Sequence, residues 1–258
     1  MIAISSAQVT PALRALFSMT IPAYGRCFAV LDGRGTGEIY TDDPANPTWG
    51  IVRESANGTI YLGGTLDTAT VHQAIARLRH TGDVLIGLWD GDDWLTRLPP
   101  NPDYVGRTLE WWDRPVGQGL DVLIARLPDS LRSDAMDADL FPRTDWYACT
   151  VAWHGSVERF FQNGGGFCLR LGDQIIGEAS YSLQLPALAE VGIQIYARFQ
   201  GKGYGTALAA YTVRHCEALG YQTYWNTAKQ NLPSAAIARR LGYRTEREYN
   251  LLAWFKPS

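Results

Sequence analysis

The stretch Gln200-Gly201-Lys202-Gly203-Tyr204-Gly205 constrains this chain more than any other. An apolar run, Val191-Gly192-Ile193-Gln194-Ile195-Tyr196, leads into it, and a helix-forming run, Thr206-Ala207-Leu208-Ala209-Ala210-Tyr211, leads out. Strand, glycine-rich turn and helix start in that order build an anion site. Glycine lets the backbone adopt conformations closed to other residues and approach a ligand closely. The first helical turn adds unpaired N–H groups and a partial positive charge, which suit a pyrophosphate. Lys202 is followed by Gly203 rather than by Ser or Thr, which excludes a P-loop, and glycines at 201, 203 and 205 do not follow the G-x-G-x-x-G of a dinucleotide fold.

Downstream lies a short β-rich run, Tyr221 to Asn226, then Asn231-Leu232-Pro233-Ser234 and a helical pattern ending at Leu241-Gly242-Tyr243. Pro233 suits a first helical turn and Gly242 a helix end. Ile237 and Leu241 are one turn apart and share a face.

These two motifs, in this order, resemble the GNAT acyl-CoA N-acyltransferases. Gln200, Gly203 and Gly205 fill the defined positions of the family's Q/R-x-x-G-x-G/A loop, and Asn231 and Ser234 fill those of its N-x-x-S/A element. Phe161 to Cys168, Glu190-Val191-Gly192-Ile193 and Trp225 further resemble the branch that includes the zwittermicin A resistance acetyltransferase. The resemblance covers roughly residues 160 to 250. It implies an α/β fold with a mixed central sheet flanked by helices. It also implies acetyl transfer from acetyl-CoA (coenzyme A) to the amine of a small molecule by direct attack. The alternative is a non-catalytic acyl-CoA-binding sensor or regulatory module.

The bulk of the sequence agrees with a soluble globular protein. A net charge of −3 argues against a nucleic-acid binder that works by phosphate neutralisation. Four cysteines, Cys27, Cys149, Cys168 and Cys216, form no C-x-x-C pair and read as reduced thiols. With the histidines they show no zinc spacing, so no metal is expected. No apolar run reaches membrane-spanning length, and Leu13 to Phe17, broken by Arg14, is no secretory signal. A cytoplasmic protein is expected, with a homodimer as a candidate assembly.

Along the chain, Ala7 to Met19 reads as a helix, Cys27 to Leu31 as a strand, and Thr48–Val52 with Thr59–Leu62 as a hairpin around Asn57-Gly58. Asp67 to His80 reads as a helix, and Asp83–Trp89 and Thr108–Trp112 as strands. Pro115 to Gly119 reads as a junction. It separates a smaller N-terminal α/β domain, residues 1–117, from a GNAT domain, residues 118–258. The smaller domain reads as a degenerate GNAT-like half. In the GNAT domain Asp121 to Leu127 is expected as the first strand and Pro128 onward as the first helix. Phe167–Leu171 and Gln174–Leu185 are expected as a meander turning at Gly172-Asp173, and Glu190–Tyr196 as the central strand.

By the resemblance, the backbone from Gly201 to Gly205, including Tyr204, holds the pyrophosphate, with Lys202 as an added point charge or a solvated lysine. The backbone of Ile193, Gln194 and Ile195 pairs with the pantetheine arm as an added strand. Asn231 and Ser234 flank the same arm. Glu190 is the expected base, next to apolar Val191 and Ile193, with Glu178 in reserve. Where many family members carry a tyrosine that protonates the leaving thiolate, this chain has Ala238. Either another group serves, with Tyr204, Tyr224 and Tyr243 as the candidates, or the thiolate leaves unassisted.

Overall fold

The computed structural model describes residues 1–257 as a mixed α/β protein that packs into two units. One unit is Met1–Thr108 together with the chain from Glu248 onward, and the other is Leu109–Arg247. The expected division at 117/118 therefore falls inside the second unit, and the chain returns to the first unit at its end.

In the first unit the elements are β1 Ile2–Ile4, α1 Pro11–Arg14, α2 Tyr24–Leu31, β2 Gly37–Thr41, β3 Trp49–Glu54, β4 Thr59–Gly64, α3 Thr68–Arg79 and β5 Val84–Leu88. β6, Tyr104–Trp112, starts in this unit and ends in the second. The second unit continues with α4 Leu120–Ile124, β7 Leu131–Ala135, α5 Tyr147–His154, α6 Val157–Gln162, β8 Gly164–Leu171 and β9 Gln174–Leu185. It closes with β10 Leu188–Ile195, α7 Tyr204–Ala218, β11 Gln222–Ala228, α8 Leu232–Leu241 and the start of β12 Thr245–Trp254.

The strands of the first unit lie in the order β1-β2-β3-β4-β5-β12, with β4 and β5 parallel and the other pairs antiparallel. Those of the second lie in the order β7-β8-β9-β10-β11-β6. There β7 to β10 are antiparallel neighbours and β10 and β11 are parallel. In each unit the parallel pair is joined by one crossover helix, α3 or α7, as a parallel connection requires. Ala189 and Val191 of β10 pack against Ala209, Ala210 and Val213 of α7, and Trp225, Ala238 and Leu241 complete that core.

Four expected elements are corrected. The helix expected over Ala7 to Met19 is a 3-10 turn at Ser6–Gln8 and the four-residue α1. Pro11 has no N–H to donate and fits only at a helix start, where Thr10 caps by accepting from Leu13 N at 3.2 Å. Cys27 to Leu31 is the buried end of helix α2, not a strand: all five side chains are buried, and a short apolar run has no period to separate the two conformations. Asp121 to Leu127 is likewise not a strand. Leu120 and Leu123 are buried while Asp121 and Val122 are exposed, the spacing of a helical turn, and α4 lies here. The chain after Pro128 is then free to form strand β7 along β8 instead of a helix.

Candidate active site

β10 carries the site and presents two faces. Ala189 and Val191 point at α7. The alternate residues point the other way, toward the turn before α5. The Gln194 side chain donates to Asp145 Oδ2 at 3.0 Å, and a Cβ added to Gly192 would stand 3.1 Å from the Trp146 ring. Glu190 lies on this second face. Its Oε2 accepts from the Tyr224 hydroxyl at 2.9 Å and from Gln184 Nε2 at 3.4 Å.

Parallel pairing of β10 with β11 runs through Leu188↔Gln222, Ala189↔Thr223 and Glu190↔Tyr224. Past that last rung, Ile193, Gln194 and Ile195 line a cleft of about 620 Å³. The other walls include Gln200, Gly201, Gly203, Tyr204 and Gly205 from the loop, and Asn231, Ser234, Ile237 and Arg240 around α8. Every expected cofactor-side residue except Lys202 lines this one cavity. Lys202 is exposed, its ammonium 6.0 Å from the Phe199 ring centroid.

The loop is shaped by its own residues. Gly201 and Gly203 have φ of +77° and +82°, where a side chain is strained, and a Cβ at either would project into open space. Gly203 is the N-cap of α7, so no side chain caps that helix start. At the corresponding start of α3 in the first unit, the Asp67 carboxylate accepts from Thr70 N at 2.6 Å and fills the place an anion would take. Gly205 differs: an added Cβ would stand 3.3 Å from Ile237 and 3.4 Å from Ile195, a tight fit against two side chains that line the cleft. Gln200 donates to the Ile195 carbonyl at 2.8 Å and folds the loop back onto the end of β10.

Asn231 and Ser234 have structural duties as well. Asn231 Oδ1 caps α8 by accepting from Ser234 N at 3.3 Å, and Ser234 Oγ accepts from buried Trp225 Nε1 at 3.0 Å. What remains for a ligand is the amide nitrogen of Asn231 and the hydroxyl hydrogen of Ser234.

Glu178, the reserve base, is fully buried. Its carboxylate accepts from Asp145 N at 3.0 Å and from Trp146 N and the Tyr196 hydroxyl at 3.4 Å. Burial pushes its carboxyl above the usual range, against those hydrogen bonds. It anchors the turn before α5. Among the tyrosines, Tyr243 is buried with its hydroxyl on Thr223 Oγ1 at 2.7 Å, and Tyr224 is buried with its hydroxyl on Glu190. Tyr204 is the one that lines the cleft. Ala238 is fully buried in the core. Burial pushes the Cys168 thiol up to about 12, which leaves it inert as a nucleophile.

Arg240 was not singled out by the sequence motifs. Pro233, Ala236, Ile237 and Arg240 form an i, i+3, i+4, i+7 stripe along α8, and all four line the cleft, so the helical period held that signal. The aspartates 90, 92 and 93 are local structure: Asp90 is paired with Arg107 at 2.6 Å and Asp92 caps a 3-10 turn. Among the described residues, no three His, Cys, Asp or Glu side chains are grouped to hold a metal ion. No described helix is long and apolar enough to cross a membrane.

Residues 26–252 match the family described as GNAT acetyltransferase. The chain belongs to that family. This GNAT chain is 25% identical over 128 residues to the uncharacterized N-acetyltransferase YdfB of Bacillus subtilis (strain 168), a match that covers 49% of each protein. It thus spans about half the length of that curated relative. Its fold is similar to that of a GCN5-related N-acetyltransferase-like protein from Streptococcus suis 89/1591 (TM-score 0.73, 20% identity, 98% of this chain and 100% of that one). It is also similar to a GNAT-family acetyltransferase from Colwellia psychrerythraea (TM-score 0.59, 10% identity, 99% and 100% covered). A third is a tandem GNAT protein from the clavulanic acid biosynthesis pathway (TM-score 0.58, 12% identity, 98% and 94% covered). At these identities the likeness is one of fold.

Proposed function

We propose that this GNAT chain is an N-acetyltransferase that moves an acetyl group from acetyl-CoA to the amine of a small molecule in the cytoplasm. One observation carries the reading: the cleft that opens beyond the Glu190–Tyr224 rung is walled by the loop and strand edge that the family motif singles out. The residues fit the cofactor. Gly201 and Gly203 leave open space, and the uncapped start of α7 offers backbone N–H groups to a pyrophosphate. The edge of Ile193 to Ile195 suits the amides of a pantetheine arm, with Asn231 opposite. Acetyl-CoA supplies the activated acyl group as a thioester. The protein positions the two reactants, and Glu190 takes the proton that the amine loses as it attacks. Tyr204 is the candidate donor to the departing thiolate. Free cysteines, three of the four buried, suit a reducing compartment. The small-amine acceptor rests on the resemblance to the zwittermicin-resistance branch.

A second reading, a non-catalytic acyl-CoA-binding module, is favoured by Ala238 alone, since it leaves no hydroxyl at the family's tyrosine position. A calorimetric titration with acetyl-CoA, run beside Gly203→Val, tests the site. Saturable binding that the folded variant loses is the expected result. No binding to the parent overturns both readings. Amine-dependent release of free coenzyme A across an amine panel then separates enzyme from module.

A further inference from the structure

The base assigned above does not stand alone. Its partner Tyr224 is fully buried, directly across the last rung of the β10–β11 pair, and its hydroxyl reaches Glu190 Oε2 at 2.9 Å. The Tyr224 ring lies flat on the Trp112 indole, with centroids 4.6 Å apart and planes 6° apart. Gln184, also buried, donates to the same Oε2. Trp112 ends β6, the strand that the second unit places beside β11. Burial and stacking on the indole hold the phenol ring, and so place its hydroxyl oxygen beside Glu190.

We propose that Tyr224, braced by Trp112, is a positioning residue that fixes the orientation of the Glu190 carboxylate, three residues before the strand edge that lines the cleft. The proposal rests on the reading of Glu190 as the base. A donor on one carboxylate oxygen fixes the plane of the group. A general base must be held within reach of the proton it takes. Trp112 sits far from every cofactor-side motif in sequence, and the sheet alone brings it here.

Other titratable groups on this face of the sheet include Glu178 with Tyr196, and Asp145, near Gln194, and His154, whose Nε2 is 3.0 Å from Ser182 Oγ. Ser182 is the cross-strand neighbour of Glu190 on β9. Buried Glu110, two residues before Trp112 on β6, faces the same way.

Tyr224→Phe keeps the stacked ring and removes the hydroxyl. The expected result is a fall in kcat of about two- to tenfold with the KM for acetyl-CoA unchanged. Trp112→Leu, which frees the ring, lowers kcat in the same way. A readout independent of turnover is the carboxyl ¹³C resonance of Glu190 in glutamate-labelled protein, assigned with Glu190→Gln. At one fixed pH it moves and broadens in Tyr224→Phe if the proposal holds. A superimposable resonance in parent and Tyr224→Phe overturns it, as does an unchanged kcat. Absence of turnover in the parent overturns the enzyme reading instead and leaves the resonance test to decide this one.

Discussion

The side-chain amide of Gln200 donates to the backbone carbonyl of Ile195 at 2.8 Å, and this one bond ties the glycine loop to the strand end it follows. Both residues line the cleft. The loop owes its shape to this bond together with two positive-φ glycines, so its backbone donors are arranged before a ligand arrives. Gln200→Leu keeps the bulk and loses the bond. The expected outcome is a three- to tenfold weaker acetyl-CoA affinity by calorimetry, roughly the worth of one such hydrogen bond, with little change in melting temperature. Unchanged affinity would show that the glycines alone hold the loop.

The cofactor-side half of the site was legible in the sequence because its signals are local. Gly201 and Gly203 answer to backbone needs within the loop, and Asn231, Pro233 and Gly242 mark the ends of α8 by their own chemistry. The surroundings of Glu190, the proposed base, were legible only in part. Glu190 could be placed on its strand, but Tyr224 meets it, and Trp112 meets Tyr224, across neighbouring strands, which leaves no trace in local spacing. The short elements failed for the same reason. Cys27 to Leu31 and Asp121 to Leu127 are too brief for periodicity to separate helix from strand, and packing decides them.

Arg114 concerns the segment that read as a junction. Its guanidinium pairs with Glu217 of α7, and its Nε donates to the Leu241 carbonyl at the end of α8 at 2.7 Å. It also donates to the carbonyls of Pro115 and Gln118, and Glu217 Oε2 accepts from Gly117 N at 3.0 Å. Only 2% of the Arg114 and 8% of the Glu217 side chain is exposed, so each charge depends on the other. Arg114→Ala strands a buried carboxylate and is expected to cost about 3–5 kcal/mol in urea unfolding. The double variant with Glu217→Ala recovers part of that loss. A single-variant cost under about 1 kcal/mol would mean that water reaches Glu217 in its place. A fragment of residues 118–258 also lacks Leu109 and Trp111, both buried in the core of the second unit, and is expected not to fold cooperatively.

His154 sets an expected pH dependence of stability. It is almost fully buried at the end of α5, with Phe160 packed on it at 5.2 Å and Nε2 on Ser182 Oγ at 3.0 Å. Burial, aided by the charge of Arg159, lowers its pKa from 6.5 to about 4. The native protein therefore holds His154 neutral while the unfolded chain protonates it below about pH 6.5. The unfolded state binds the extra proton, so stability rises with pH across this window. The contribution is fully present above about pH 6.5 and is lost as pH falls toward 4, by at most about 3 kcal/mol. His154→Gln keeps a polar group near Ser182 and cannot titrate. Urea midpoints at pH 7.5 and 4.5 should differ less for the variant than for the parent, because acidic groups elsewhere titrate equally in both. Equal differences in the two proteins would mean that the imidazole protonates inside the fold without penalty, and that the packing around Phe160 admits water.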